Sequence, residues 1–352
     1  MIRFYSSSLK SKNKSILYFK YYIQFGLGLA TSTLSFGSPS IKKNKRVGII
    51  GLDTSHSIAF AKAFNAADAA ADLGGYKVVA AYPHGSKDIA TSVDRIPGYI
   101  EDVKKLGVEI VDSIASLLDK VDVVLLETND GRLHLEQALE VFKSGKTVFI
   151  DKPIAASLPD AIAIFAAAKK YNVPVFSSSS LRYMENVIAV NNGEIGEVFG
   201  ADAFSPAKYE VTHPDLFWYG IHGVETLYAI MGAGCETVQR TYTEGADVVV
   251  GTWEGGKIGT FRGTRSGKGG YGGKAFGEKG ILDMGGYGGY RPLLVEIAKF
   301  FDTGVSPVSE EETIEIFAFM QAADESKKMN GQAVSLEAVL AKGKRDALKI
   351  KI

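Results

Sequence analysis

The 352-residue chain has a single cysteine, Cys235. One thiol forms no intrachain disulfide and supplies no cysteine-based metal site. Placed at the end of an apolar helical stretch, it reads as a small buried hydrophobe rather than a nucleophile. An excess of either charge is also missing, since 40 Lys and Arg balance 40 Asp and Glu. That balance excludes a general electrostatic grip on nucleic acid or anionic lipid. No repeat of 20–50 residues is present, which excludes a solenoid or propeller. The longest apolar stretch, residues 21–36, is too short and too interrupted for a stable membrane span. What is there is ordinary for a soluble globular protein: 46% hydrophobic and 23% charged residues, in a length that suits two domains.

Residues 1–43 differ from the rest. Lys10, Lys12, Lys14 and Lys20 make a basic start without an acidic residue, and an apolar stretch with a Thr/Ser cluster follows. Ser35-Phe36-Gly37 has the small-x-small form of a cleavage site. This pattern predicts an export signal and a periplasmic location; a disordered extension on a cytoplasmic protein is the alternative. Arg3 stands alone, so no twin-arginine pair is present. Export of an unfolded chain would deliver the protein without a nucleotide.

From residue 45 onward, strands and helices alternate. KRVGIIG (45–51), YKVVAAY (76–82), VDVVLLE (121–127), 147–150 and 173–177 read as short buried strands. Helical stretches lie between them, over 57–73, 99–106, 132–144 and 159–171. Such alternation predicts an α/β fold whose first domain, 44–180, is a Rossmann-type doubly wound parallel sheet. The pattern then changes. Strands at 198–209, 237–243, 246–253, 259–264 and 280–284 follow one strong helix at 219–231, and helices at 293–301 and 310–327 close the chain. This predicts a second, α+β domain over 181–352 with a mostly antiparallel open sheet. The Gly- and Tyr-rich segment 266–289 reads either as linker or as a substrate-facing loop.

Five segments, in order, resemble the glucose–fructose oxidoreductase/inositol dehydrogenase/MocA family. They are the strand-turn-helix over 48–63; Thr128-Asn129 with His134; Gly145-Lys146-Thr147-Val148 leading to Asp151-Lys152-Pro153; Gly220-Ile221-His222 with Glu225; and the tail through Ala322-Ala323-Asp324-Glu325-Ser326 to Val334-Ser335-Leu336. The resemblance covers roughly residues 45 to 340 and implies NAD or NADP as cofactor and a sugar-like substrate. It implies Lys152 and His222 as the catalytic pair. Lys152 would stabilise a developing alkoxide and also contact the nicotinamide region, and His222 would act as acid and base. It implies a nucleotide site drawn from Gly51, Asp53, Thr54, Ser55, His56, Ser86, Lys87, Thr128, Asn129 and His134.

Three departures stand out. The Gly-x-Gly-x-x-Gly fingerprint reads Gly51-Leu52-Asp53-Thr54-Ser55-His56, so only its first glycine is kept. A carboxylate at 53 facing a diphosphate would repel it by about 4 kcal/mol at 4 Å and an effective dielectric near 20. Either Asp53 turns away, or the diphosphate sits differently, or none binds; Asp53, Thr54 and Ser55 are also good helix caps. No acid follows the second strand to hold a ribose, while Ser86 and Lys87 would accept a 2′-phosphate or merely form a polar turn. The family carboxylate four residues before the histidine is Trp218 here. Trp218 and Tyr219 offer faces for a sugar ring or for a buried helix contact. Asp215 would replace the lost acid if the helix begins early. Arg182 and Tyr183, at the handover between domains, are candidates for the cleft.

The reading carried forward is an NAD(P)-dependent oxidoreductase acting on a sugar or polyol. Its alternatives are an NAD-dependent glycosidase-like enzyme and a non-catalytic sugar-binding protein. A metal at His222 and Glu225 has only two ligands on a helix face, so no metal site is expected. A homo-oligomer built on the open sheet is expected.

Overall fold

Short β-branched runs alternate with helical stretches, and the chain folds accordingly. In the computed structural model, which describes residues 45–352, the first half runs β1 (Arg46–Ile50), α1 (Ser55–Asn65), β2 (Lys77–Tyr82), α2 (Ala90–Val93), α3 (Ile96–Lys105), β3 (Glu109–Ile110), α4 (Ile114–Leu118), β4 (Val123–Leu126), α5 (His134–Lys143), β5 (Val148–Ile150), α6 (Leu158–Tyr171) and β6 (Val175–Phe176). The sheet is parallel throughout, in the order β3-β2-β1-β4-β5-β6. This is the Rossmann strand order, and it reverses between β1 and β4, where a crevice opens beyond the strand ends. All four residues of β4 are buried, as they must be in a sheet covered on both faces. The expected export signal lies outside the described residues.

The second half runs α7 (Glu185–Asn191), β7 (Val198–Pro206), α8 (Ile221–Met231), β8 (Cys235–Tyr242), β9 (Ala246–Trp253), β10 (Lys257–Thr264), β11 (Gly272–Gly277), β12 (Gly280–Asp283), α9 (Arg291–Thr303), α10 (Glu310–Lys328), β13 (Val334–Ser335) and α11 (Leu336–Ala347). Its sheet has the order β12-β11-β7-β10-β9-β8-β13, antiparallel except where β7 meets β10. One face packs on α8 and α10. In β9 the inward residues Asp247, Val249, Gly251 and Trp253 are buried, while their neighbours are partly exposed. The α/β class with two sheets is therefore as the sequence indicates.

Three features differ from the sequence expectation. Besides the strand expected at 280–284, the Gly- and Tyr-rich segment contains β11, because glycine lets it lie close against β7: a Cβ at Gly273 would collide with the Asp202 carbonyl. Helix α8 begins at Ile221, which leaves Asp215 in the preceding turn. Helix α9, expected to close the second domain, packs instead into the Rossmann core. Phe300 is 1% exposed and meets Phe176 edge-on at 4.7 Å, Phe176 meets Phe149 at 5.0 Å, and all three belong to one buried cluster with Phe60. The last part of the chain thus completes the first half's core, and the described residues form one compact unit.

That packing gives a testable consequence. Phe300→Ala should lower global stability by about 3–5 kcal/mol, as for large aromatic deletions in cores. Urea unfolding followed by circular dichroism measures it. A midpoint equal to that of the wild type would show that α9 is peripheral.

Candidate active site

The crevice at the β1/β4 reversal is shaped by a sharp turn at Gly51. Its φ is +90°, and a Cβ there would lie 2.5 Å from the Thr128 amide nitrogen, so glycine is required. Asp53 follows with no exposed surface. Its Oδ2 accepts the Ser86 N–H at 2.9 Å and its Oδ1 accepts the Asn129 N–H at 2.9 Å. One carboxylate thereby ties the turn after β1 to the turns after β2 and β4. Burial pushes the Asp53 pKa up, and the two amide donors oppose that rise. Gly85 passes so close that a Cβ there would collide with this carboxylate. Thr54 is the cap of α1, with Oγ1 accepting from the His56 N–H at 3.4 Å.

With Asp53 turned into the loops, a cavity of about 470 Å³ remains beside it, and Asp53 does not line it. One wall comes from Thr54, Ser55 and His56 at the start of α1, Thr91 and Arg95, Asn129, and Lys152. The facing wall comes from the second half, with His222, Trp218, Tyr219, Tyr271, Tyr287 and Tyr290. The aromatic wall is continuous: the Tyr219 and Tyr271 hydroxyls lie 3.1 Å apart, and the Tyr271, Tyr287 and Tyr290 rings follow one another at 6.2 and 5.5 Å.

Lys152 is 8% exposed, with Nζ 3.7 Å from Asp151 Oδ2. Asp151 also meets His56 Nδ1, at 3.0 Å from Oδ1. Burial works against the Asp151 charge, but the His56 ring and the Lys152 ammonium beside it outweigh that and hold this carboxyl below its usual range. The neighbouring Glu127 is wholly buried and is pushed well above its usual range by burial and by the Asp151 charge. His222 Nδ1 lies 2.9 Å from Ser179 Oγ. Burial, with Lys152 and His56 nearby, lowers the His222 pKa well below 6.5, so its ring is neutral at pH 7.

The cavity gathers Thr54, Ser55, His56, Asn129, Lys152, Trp218, Tyr219 and His222 of the residues expected from sequence. The others are placed elsewhere. Ser86 is buried, with its N–H on Asp53 and its Oγ accepting from the Ile89 N–H, and Lys87 is exposed outside the cavity. Thr128 is buried against Gly51. His134 sits between the Thr128 and Ile154 carbonyls, at 2.6 and 3.1 Å, where it braces two turns. Arg182 is buried between Glu225 and Glu312, and Tyr183 beside it is outside the lining. Asp215 pairs with Arg240 and Lys327 rather than replacing the lost acid. Sequence reasoning missed Arg95, Tyr271, Tyr287 and Tyr290. The Gly-Tyr pattern of 266–290 was the available signal for the three tyrosines.

Residues 45–179 match the model of an oxidoreductase family described as having an NAD-binding Rossmann fold. This match covers the parallel-sheet half of the described chain, and it is that segment which resembles the family. It is 28% identical over 156 residues to an uncharacterized oxidoreductase of Streptococcus pneumoniae, a match that covers 39% of this chain and 42% of the relative. Among solved structures, it is similar to a probable dehydrogenase from Thermotoga maritima (TM-score 0.66, 23% identity, 84% of this chain and 99% of that one). It is also similar to a scyllo-inositol dehydrogenase from Lactobacillus casei with bound NAD(H) and scyllo-inositol (TM-score 0.66, 15% identity, 84% and 100%). These structural likenesses concern the fold. The family is NAD-binding, and the cavity's donor set fits such a cofactor. The N-terminal turn of α1 is open at Ser55, Arg95 lines the same cavity, and the Asp53 charge lies outside it.

Asp53→Asn tests the tie between the three turns. An amide offers one acceptor oxygen where two N–H groups need one each, so stability should fall by about 1–3 kcal/mol. Chemical denaturation measures it. An unchanged midpoint would mean that the turns hold one another without the carboxylate.

Proposed function

We propose that this chain is an NAD(P)-dependent oxidoreductase that transfers hydride at a secondary hydroxyl of a sugar or polyol. The observation that carries the reading is that Lys152 and His222, brought from opposite halves of the fold, line one cavity with an aromatic wall. Bound nicotinamide would supply the hydride acceptor. Thr54, Ser55, Arg95 and Asn129 are the residues that would hold the nucleotide. Since Ser86 and Lys87 lie outside the cavity, they give no reason to favour a 2′-phosphate.

The protein's part in the chemistry follows from the side chains. The Lys152 ammonium stabilises negative charge on the substrate oxygen as the C–H bond weakens. His222, neutral at pH 7, takes the hydroxyl proton. When its Nδ1–H donates to Ser179 Oγ, the Nε2 lone pair is left free to receive that proton. In reduction the same nitrogen returns it. The Trp218, Tyr219 and Tyr271 rings suit the apolar faces of a sugar, with hydroxyl groups at their edges for its oxygens. The inositol dehydrogenases of similar fold support this substrate class, one of them solved with NAD(H) and myo-inositol. Self-association is part of the proposal. The sheet face away from α8 carries Phe204, 41% exposed, and Ile258, 52% exposed, an apolar surface that a second copy would cover.

The full chain, assayed with inositols and pyranoses plus NAD⁺ or NADP⁺, should produce reduced nicotinamide. Lys152→Ala and His222→Ala should each lower kcat by about 10²–10⁴-fold with the fold intact. The acid limb of kcat/KM should fall well below pH 6.5, because His222 stays neutral there. Turnover that survives both substitutions contradicts the assignment, and so does an acid limb at 6.5. Light scattering on the purified protein should give a multiple of the monomer mass; a monomer at tens of micromolar removes the self-association reading.

A further inference from the structure

Three acidic or imidazole groups converge behind the cavity wall, on the floor of the Rossmann crevice. His56 comes from the first turn of α1, Glu127 from the end of β4, and Asp151 from the end of β5. Their ligand atoms all lie within 4.8 Å of one another. Glu127 is 0% exposed and Asp151 1% exposed. Both Glu127 oxygens lack a hydrogen-bond partner, whereas Asp151 Oδ2 lies 2.9 Å from His56 Nδ1 and 3.7 Å from Lys152 Nζ. Buried polar atoms are almost always satisfied, so two orphan oxygens on one fully buried carboxylate need an explanation. A proton shared between Glu127 and Asp151 would satisfy one Glu127 oxygen and leave the other bare. A cation bound by Glu127 satisfies both.

We propose that His56, Glu127 and Asp151 form a binding site for one divalent transition-metal ion. One imidazole and two carboxylates suit zinc or manganese. Calcium needs six to eight oxygens, and magnesium keeps several waters, so neither suits so dry a pocket. Ligands at about 2.0–2.2 Å from one ion stand roughly 3–3.5 Å apart. His56 Nδ1 and Asp151 already lie 2.9–3.0 Å apart, so small side-chain shifts close the set. Binding requires His56 to turn the lone pair of Nδ1, rather than a proton, toward the ion. The same Asp151 lies 3.7 Å from the Lys152 ammonium, so an ion on Asp151 would position Lys152 by fixing its anionic neighbour. Lys152 in turn supplies a competing positive charge, which predicts moderate affinity.

The test needs neither sugar nor nucleotide, so its failure is separate from failure of the proposed reaction. The full chain, freed of any affinity tag and dialysed against chelating resin, is titrated with Zn²⁺ and with Mn²⁺ by calorimetry. Bound metal is then counted by plasma mass spectrometry. The expected result is about one equivalent per chain for at least one of the two ions, with a raised Tm. Glu127→Gln should weaken binding at least tenfold, and His56→Ala, a second variant in case the first does not fold, should do the same. The absence of saturable binding of either ion at 100 µM overturns the proposal (~100 µM being well above ordinary structural-metal affinities). Undiminished binding in a folded variant also overturns it. A protonated-carboxyl infrared band that persists at saturating metal and vanishes in Glu127→Gln overturns it too, since it would assign the site to a shared proton.

Discussion

Burying a carboxylate costs several kcal/mol unless donors meet it, and Asp53 meets two. Its oxygens take the Ser86 and Asn129 amides, so the turns after β1, β2 and β4 are held together by one side chain. Everything about the cavity depends on that. The same interaction that binds the turns takes the negative charge out of the space a diphosphate needs. An acidic residue where the family has glycine is therefore a structural tie, and the cavity beside it stays open. Glycine at 51 and at 85 serves the same end, since a Cβ at either would collide with these turns.

Charge is distributed around the cavity in a graded way. Asp151 is kept ionised by His56 and Lys152, while Glu127 behind it is driven toward its neutral form by burial and by Asp151. His222, facing them from the other half, is kept neutral by burial first, with Lys152 and His56 adding to it. The Lys152 ammonium and a neutral imidazole thus share a cavity. The proposed hydroxyl oxidation would need this division of labour, because a charged imidazole beside an ammonium would neither accept a proton nor tolerate its neighbour. The two halves are joined less by sequence order than by packing. Helix α9 fills the Rossmann core with Phe300 and Phe301, and α10 touches both β8 and α6.

The Rossmann sheet was legible because parallel strands buried on both faces write themselves as unbroken apolar runs, as in Val123–Leu126. Motif order pointed to Lys152 and His222, and both line the cavity. The direction of the Asp53 side chain was not, since it depends on amides 33 and 76 residues away. Ser86, His134 and Arg182 are polar residues near the right strand ends, yet their partners are backbone groups or buried acids, and only the fold decides between such roles and a ligand. The tyrosines at 271, 287 and 290 sit in a glycine-rich stretch whose periodicity says nothing about what they face. Helix α9 was assigned to the wrong half because its apolar face does not encode which core it enters.

The central claim is that the cavity beside Asp53 receives a nicotinamide dinucleotide. Calorimetric titration of the purified chain with NAD⁺ and NADP⁺ tests it most directly. The account predicts saturable binding of at least one of them at one per chain, weakened when Arg95 is replaced by alanine. No heat of binding from either nucleotide at millimolar concentration, with the protein folded, would contradict it.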